Sequence, residues 1–196
     1  MDLRLQLVTG PTGYPLEAAD LEAHSRAMGQ PLEQLEPYLF AATDHIETIT
    51  NRRCLTQTWK LFLDCFPGSG IIHLPYSPLV SVAHIKYTDS TGTQRTFAAT
   101  EYGVSTARTP GAIVLEYQKD WPTDTLRNTD PIEVQFTCGY GLPTQVPHQL
   151  RQAIRMLAAH FYEHREAVII GTTSAIDEKE LPFAVSALIA PFRVWL

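Results

Sequence analysis

VPHQLRQAIRMLAAHFYEHREAVIIG, residues 146–171, has an apolar residue at every third or fourth step: Leu150, Ala153, Ile154, Leu157, Ala158 and Phe161 share one helical face. Pro147 suits a first helical position, and Gly171 stops the run. Arg151, Gln152, Arg155, Glu163 and Glu166 fall mostly on other faces, so the spacing predicts an amphipathic helix with one packed side and one wet side. Such a stripe needs a partner. Leu32, Leu35, Leu39, Ala42, Ile46 and Ile49 step by three and four without a miss, and this seam is expected to pack against the 150–161 face. Pro37 interrupts it, so the regular helix starts near Glu36 or kinks there.

Upstream, residues 1–14 carry a short alternation of Leu3, Leu5 and Leu7 and then Gly10, Pro11 and Gly13, which reads as an arm. A helix opens at residues 15–20 and runs to about Met28, where Gly29-Gln30-Pro31 ends it. Beyond Arg53 the character changes. Residues 55–63 are β-rich, and residues 71–74 form a short run after a Pro-Gly-Ser-Gly break. Residues 80–88 alternate, Asp89 to Gly92 turns them back into residues 94–97, and residues 102–105 and 111–115 add two more strands. Ile132, Val134 and Phe136 oppose Glu133, Gln135 and Thr137 in a half-buried strand closed at Gly139.

The order is helices, a block of strands, then helices. That predicts an α+β fold, a small helical bundle of N- and C-terminal helices with an inserted antiparallel β-rich region. The expected divisions are residues 1–53 for the arm and first helices, 54–145 for the strand insertion, and 146–196 for the long core helix and an apolar closing segment.

Composition narrows the classes. Of 196 residues, 44% are hydrophobic and 18% charged, which fits an ordered chain, and no apolar run approaches the ~20 residues needed to span a bilayer, so no membrane partner is expected. The first twenty residues lack a secretory pattern, and the expectation is a chain that stays in the cytoplasm where it is made. Cys54, Cys65 and Cys138 are odd in number and form no C-x-x-C pair, against both a disulfide framework and a thiolate zinc site. A net charge of −6 disfavours a phosphate-gripping nucleic-acid binder but suits a wall past which DNA slides. Phosphate-loop, dinucleotide and nucleophile-elbow motifs are all missing.

One pattern invites catalysis. His160-Phe161-Tyr162-Glu163-His164 fits the H-x-x-E-H of inverted zinc peptidases, in which two histidines on one helical face hold a metal and the glutamate is general base. A third ligand is needed, and the later chain offers only Glu166, Asp177, Glu178 and Glu180. Five-residue patterns recur by chance, so the expectation is no metal, no cofactor and no enzyme activity, with a small zinc-dependent hydrolase using His160, Glu163 and His164 as the opposing reading. The chain's ending is the other anomaly: Phe192, Val194, Trp195 and Leu196 want burial where termini normally fray. They fold back onto the protein's own core or bury on a partner.

The landmarks also have a familiar order. Leu16-Glu17-x-Ala19 leads to Asn51-Arg-Arg-Cys-Leu-Thr-Gln-Thr-Trp59; Ile72-x-Leu74-Pro75 precedes Pro78-Leu79-x-Ser81-Val82 and Ile85-x-Tyr87-x-Asp89-x-x-Gly92. Phe136-x-x-Gly139-Tyr140-Gly141, Val146-Pro147, the block from His160 to Val168, and Leu181-Pro182 through Arg193-Val194-Trp195 complete the set. Together they resemble the head–tail connector, or adaptor, proteins of long-tailed DNA phages and phage-derived particles, over nearly the whole chain. The family's usual sequence at the block is of His-Trp-Tyr-Glu-Asn type, so His164 departs from it at a position where a metal ligand is not usual. The first helix departs too, with Glu22-Ala-His-Ser-Arg in place of a more basic segment.

The resemblance implies a structural subunit of a virion or phage-like particle at the head–tail junction. Many copies would form a homo-oligomeric ring under the portal protein, extend the channel for duplex DNA without reading its sequence, and offer a lower face to a tail or stopper protein. It also makes the apolar ending the expected portal-docking segment, through Leu181, Phe183, Leu188, Phe192, Arg193, Val194, Trp195 and Leu196. Another non-catalytic assembly or packaging factor would share the location but not the ring.

Overall fold

A strand flanked on both sides must satisfy two ladders and still place its apolar residues on one face, and Ile132–Cys138 (β8) does so. Ile132, Val134, Phe136 and Cys138 are buried, while Glu133, Gln135 and Thr137 between them are half-buried. In this computed structural model, which describes residues 4–24, 31–164 and 182–195, β8 is the middle of a five-stranded antiparallel sheet. Gln57–Leu63 (β2) pairs with one edge of it and Leu79–Thr88 (β4) with the other. Arg4–Thr9 (β1) extends the sheet beyond β2, and Gln94–Phe97 (β5) beyond β4.

Residues 4–9 are therefore an edge strand rather than part of an arm. Pairing with β2 gives their backbone a ladder, and Arg4 is held by ion pairs to Asp64 and Asp130. Leucine alternation at a chain's start is too short a pattern to distinguish an edge strand from a loose lead-in. A second sheet has Ala112–Leu115 (β7) between Ile71–His73 (β3) and Tyr102–Ser105 (β6). The core joins the two sheets: Leu61, Ile85, Val134 and Phe136 of the larger sheet with Ile72, Tyr102 and Ile113 of the smaller. Phe66 and Trp121 stack at 5.0 Å beside it, and the Trp121 indole N–H donates to the Pro67 carbonyl at 3.0 Å. Arg53 is buried with its guanidinium 3.6 Å from the Tyr76 ring centroid and 5.3 Å from that of Trp59.

Turn chemistry sets the strand ends. Between β4 and β5 the Asp89 carboxylate accepts the backbone N–H groups of Thr91 and Thr93 at 2.9 and 3.0 Å. Gly139, which ends β8, has φ +118°, and a Cβ there would stand 2.1 Å from the Leu55 carbonyl oxygen. On the polar face of the larger sheet Glu133 lies between Lys60 at 3.0 Å and His84 at 3.2 Å. Burial pushes its carboxyl up, but hydrogen bonds and charge from His84 and Lys60 outweigh that and hold it below the ordinary value.

These strands form one compact unit, residues 1–12, 51–141 and 194–196; residues 13–50 and 142–193 form a second, helical one. The helical unit contains Ala18–His24 (α1), Leu32–Thr50 (α2), His148–Glu163 (α3) and Phe183–Ile189 (α4). The expected pairing of α2 with α3 is present: Leu35, Leu39, Ala42 and Ile46 are buried on one, and Leu150, Ala153, Ile154, Leu157 and Ala158 on the other. Leu32 is exposed and Ile49 half-buried, so the seam is tight only in its middle. The helix does not start near Glu36; it begins at Leu32 and runs through Pro37, which is exposed. Pro147 is the residue before α3 rather than its first, and α3 ends at Glu163, not Gly171; residues 165–181 lie outside the described set. Arg155 of α3 pairs with Asp20 of α1 at 3.4 Å.

The fold is thus α+β, helices around one core and antiparallel strands around another. Among the described residues no helix is long and apolar enough to cross a membrane.

Two outcomes follow. Leu157→Ala is expected to destabilise the protein by about 2–5 kcal/mol in denaturant unfolding, as a large-to-small core change; a loss under about 0.5 kcal/mol would mean the buried face of α3 is misplaced. Glu133, with its folded pKa depressed, contributes stability that is present above its ordinary 4.5 and is lost as pH falls through the lower folded value. The stability gap between wild type and Glu133→Gln should therefore narrow as pH drops below 4.5, and a pH-independent gap would contradict the ion-pair account.

Candidate docking surface

The apolar ending that stands out in the sequence divides, in the structure, into buried and exposed residues. Pro182 precedes α4, and its carbonyl accepts the N–H groups of Val185 and Ser186 at 2.8 and 3.1 Å, which starts the helix. Val185 and Ile189 are buried and α4 packs on α3, so one face of the segment belongs to the helical core. Phe183 projects the other way and is 89% exposed. Leu188 and Phe192 are half-buried, and a 3-10 turn over Ala190–Phe192 precedes Arg193, which is exposed.

The last described residues belong to the strand unit. Val194 is buried, and its carbonyl accepts a hydrogen bond from the Asn51 side-chain amide at 3.0 Å. Asn51 has φ +53°, the left-handed conformation that asparagine tolerates, and its own carbonyl accepts the Ser77 N–H at 3.1 Å. Trp195, next along the chain, is 81% exposed. Of the expected docking residues, then, Val194 is committed to the protein's own core, Phe183, Arg193 and Trp195 are available, and Leu181 and Leu196 lie outside the described residues.

Trp195 lines a groove of about 620 Å³ that no periodic pattern announces. Leu61 and Leu63 come to it from β2, Ile71 and Ile72 from β3, and Pro75 and Pro110 from the adjoining loops. The groove exists because β2 and β3 lie in different sheets and contribute to one lining without pairing with each other. The tie from Asn51 to Val194 was not foreseen either, although an Asn directly after a long helical run is a recognisable signal of a helix end.

The histidine pattern lies at the C-terminal end of α3. His160 is in the last turn of α3, but His164 has left the helix, with φ −112° and ψ 62°. Its Nδ1 is 3.1 Å from the His160 carbonyl and must carry a proton to donate there; the two rings are 4.4 Å apart. Burial lowers the His160 pKa, His164 adds to that, and Glu163 opposes it. Among the described residues no group of three or more His, Cys, Asp or Glu is placed to hold a metal. Glu166, Asp177, Glu178 and Glu180, the remaining ligand candidates, lie outside those residues.

The chain matches no protein-family model and no curated protein, whereas solved structures match it almost end to end. It is similar to a chain in the virion of a native gene transfer agent (GTA) particle, with 26% identity, a TM-score of 0.78, and coverage of 98% of this chain and 96% of that one. The neck of an empty GTA particle computed with C6 symmetry gives 26% identity over the same spans at a TM-score of 0.79. The neck of a native GTA particle computed with C12 symmetry gives 26% and 0.76 over the same spans. These neighbours are structural components of a phage-like particle.

The division at Val194 is open to measurement. Val194→Ala should cost about 1–3 kcal/mol in unfolding, as loss of buried apolar area, whereas Trp195→Ala should stay within about 0.5 kcal/mol. Equal costs would contradict the assignment of one to the core and the other to a surface.

Proposed function

We propose that the chain is a non-enzymatic neck subunit of a phage-like particle, an adaptor of which many copies form a ring beneath the portal. The ring extends the DNA channel from the head and presents its lower face to a tail or stopper protein. The observation that carries this reading is likeness over 98% of the chain to neck and virion components of such a particle. A likeness spanning both compact units concerns the whole subunit rather than one shared module. The C6 and C12 symmetries of the neighbouring necks support a ring for this chain as well.

Net charge fits the channel role. At −6 the chain lacks the cationic excess that grips phosphates, since each neutralised phosphate adds salt-dependent affinity and would brake a moving duplex. The portal-docking residues are the exposed ones of the closing segment, Arg193 and Trp195, while Val194 is buried and tied to Asn51. Tryptophan and arginine are the types most often dominant at interfaces, and a modest contact repeated around a ring gives strong avidity. Val194 itself, with its side chain buried and its carbonyl tied to Asn51, anchors the segment rather than docking.

Co-sedimentation with the purified portal protein tests this. Wild type should pellet with portal, and a chain shortened by Trp195 and Leu196 should keep its melting temperature and stay in the supernatant. A shortened chain that still pellets would remove docking from this segment, and a wild type that never pellets would remove the adaptor role.

A further inference from the structure

A head-to-tail contact between identical chains needs two unlike patches on one surface that fit each other, and if the rotation closes the result is a ring. The described surface offers such a pair. Phe183, the most exposed large apolar side chain among the described residues, rises from α4. The groove between β2 and β3 is its concave counterpart, wide enough at about 620 Å³ for a phenyl ring and its flanks. We infer that Phe183 of one copy seats in the apolar groove of the next copy in the ring, an inference that rests on the ring reading above.

Charge selects a second copy as the occupant. Two chains of net charge −6 repel over most of their surfaces, so contact between copies is favoured where no charge is stranded. Residues 182–192 contain no Asp, Glu, Lys or Arg, and neither does the groove lining, whose most polar members are Ser69 and His73. Each side therefore meets the other without desolvating an ion. Burying one phenylalanine covers about 150–250 Å², far below the ~1,200–2,000 Å² of a stable pairwise interface. The seat thus sets the register between neighbours, and closure of the ring supplies the stability.

The groove carries its own reporter. Cys65 lines it and is exposed, while Cys54 and Cys138 are buried. Ala184, exposed beside Phe183, is replaced by cysteine so that the phenyl ring is left intact, and the full chain is treated with a short thiol-to-thiol crosslinker, alone at high concentration and mixed with portal. Expected is a ladder of covalent oligomers in Ala184→Cys that the parent lacks, abolished by Cys65→Ser and by Phe183→Asp, with the melting temperature of the Phe183→Asp chain unchanged. No ladder, a ladder that survives either change, or a link within single chains would each overturn the seat. Failure here is distinguishable from failure of the neck reading: a wild type that assembles with portal while the cysteines stay unlinked sinks the seat alone, and a wild type that never assembles sinks both.

Discussion

The double pairing of β8 is the constraint on which the strand unit depends. A central strand has no free edge, so both ladders fix its register, and a slip of one residue would turn Phe136 and Val134 outward and Glu133 inward. Once that register is set, β2 and β4 must present Leu61 and Ile85 to the same face, and the second sheet has an apolar surface to cover. The polar face follows by the same alternation, which is why Lys60 and His84, both opposite Gln135, reach Glu133 two residues along β8 on the same face. The glycine at position 139 then ends the strand where a side chain would strike the Leu55 carbonyl.

The closing segment depends on a smaller device. Asn51 leaves α2 in a left-handed conformation, accepts the Ser77 N–H with its carbonyl and gives its side-chain amide to Val194. One residue at a helix end thereby ties a loop of the strand unit to the last described residues. With Val194 held, the apolar ending is neither wholly core nor wholly surface: each residue's allegiance depends on which way its side chain points, and Phe183 and Trp195 point outward.

Legibility in the sequence followed the strength of the periodic signal. The faces of α2 and α3, the alternation of β8 and the turn at Asp89 were readable because burial on one side imposes a period of 3.6 or 2, and turns draw on few residue types. What failed were features without a period. The first strand has too few residues to declare itself, Pro37 marks no helix boundary although a proline usually does, and the expected length of α3 came from an apolar run that continues past Glu163. The groove was illegible because Leu61 and Ile72 are neighbours only through the packing of two sheets, and the exposure of Phe183 was illegible because an apolar helix pattern does not say which member is left out of the core. The histidine pair is a pattern present in sequence whose second member, His164, stands just past the end of the helix.

A reconstruction by electron microscopy of the purified chain mixed with the portal protein that the proposed role requires tests the central claim most directly. The account predicts a closed ring of this chain beneath the portal, coaxial with it and surrounding an open channel wide enough for duplex DNA. Portal particles with no added ring, or with the chain bound singly at the periphery away from the channel axis, would contradict it.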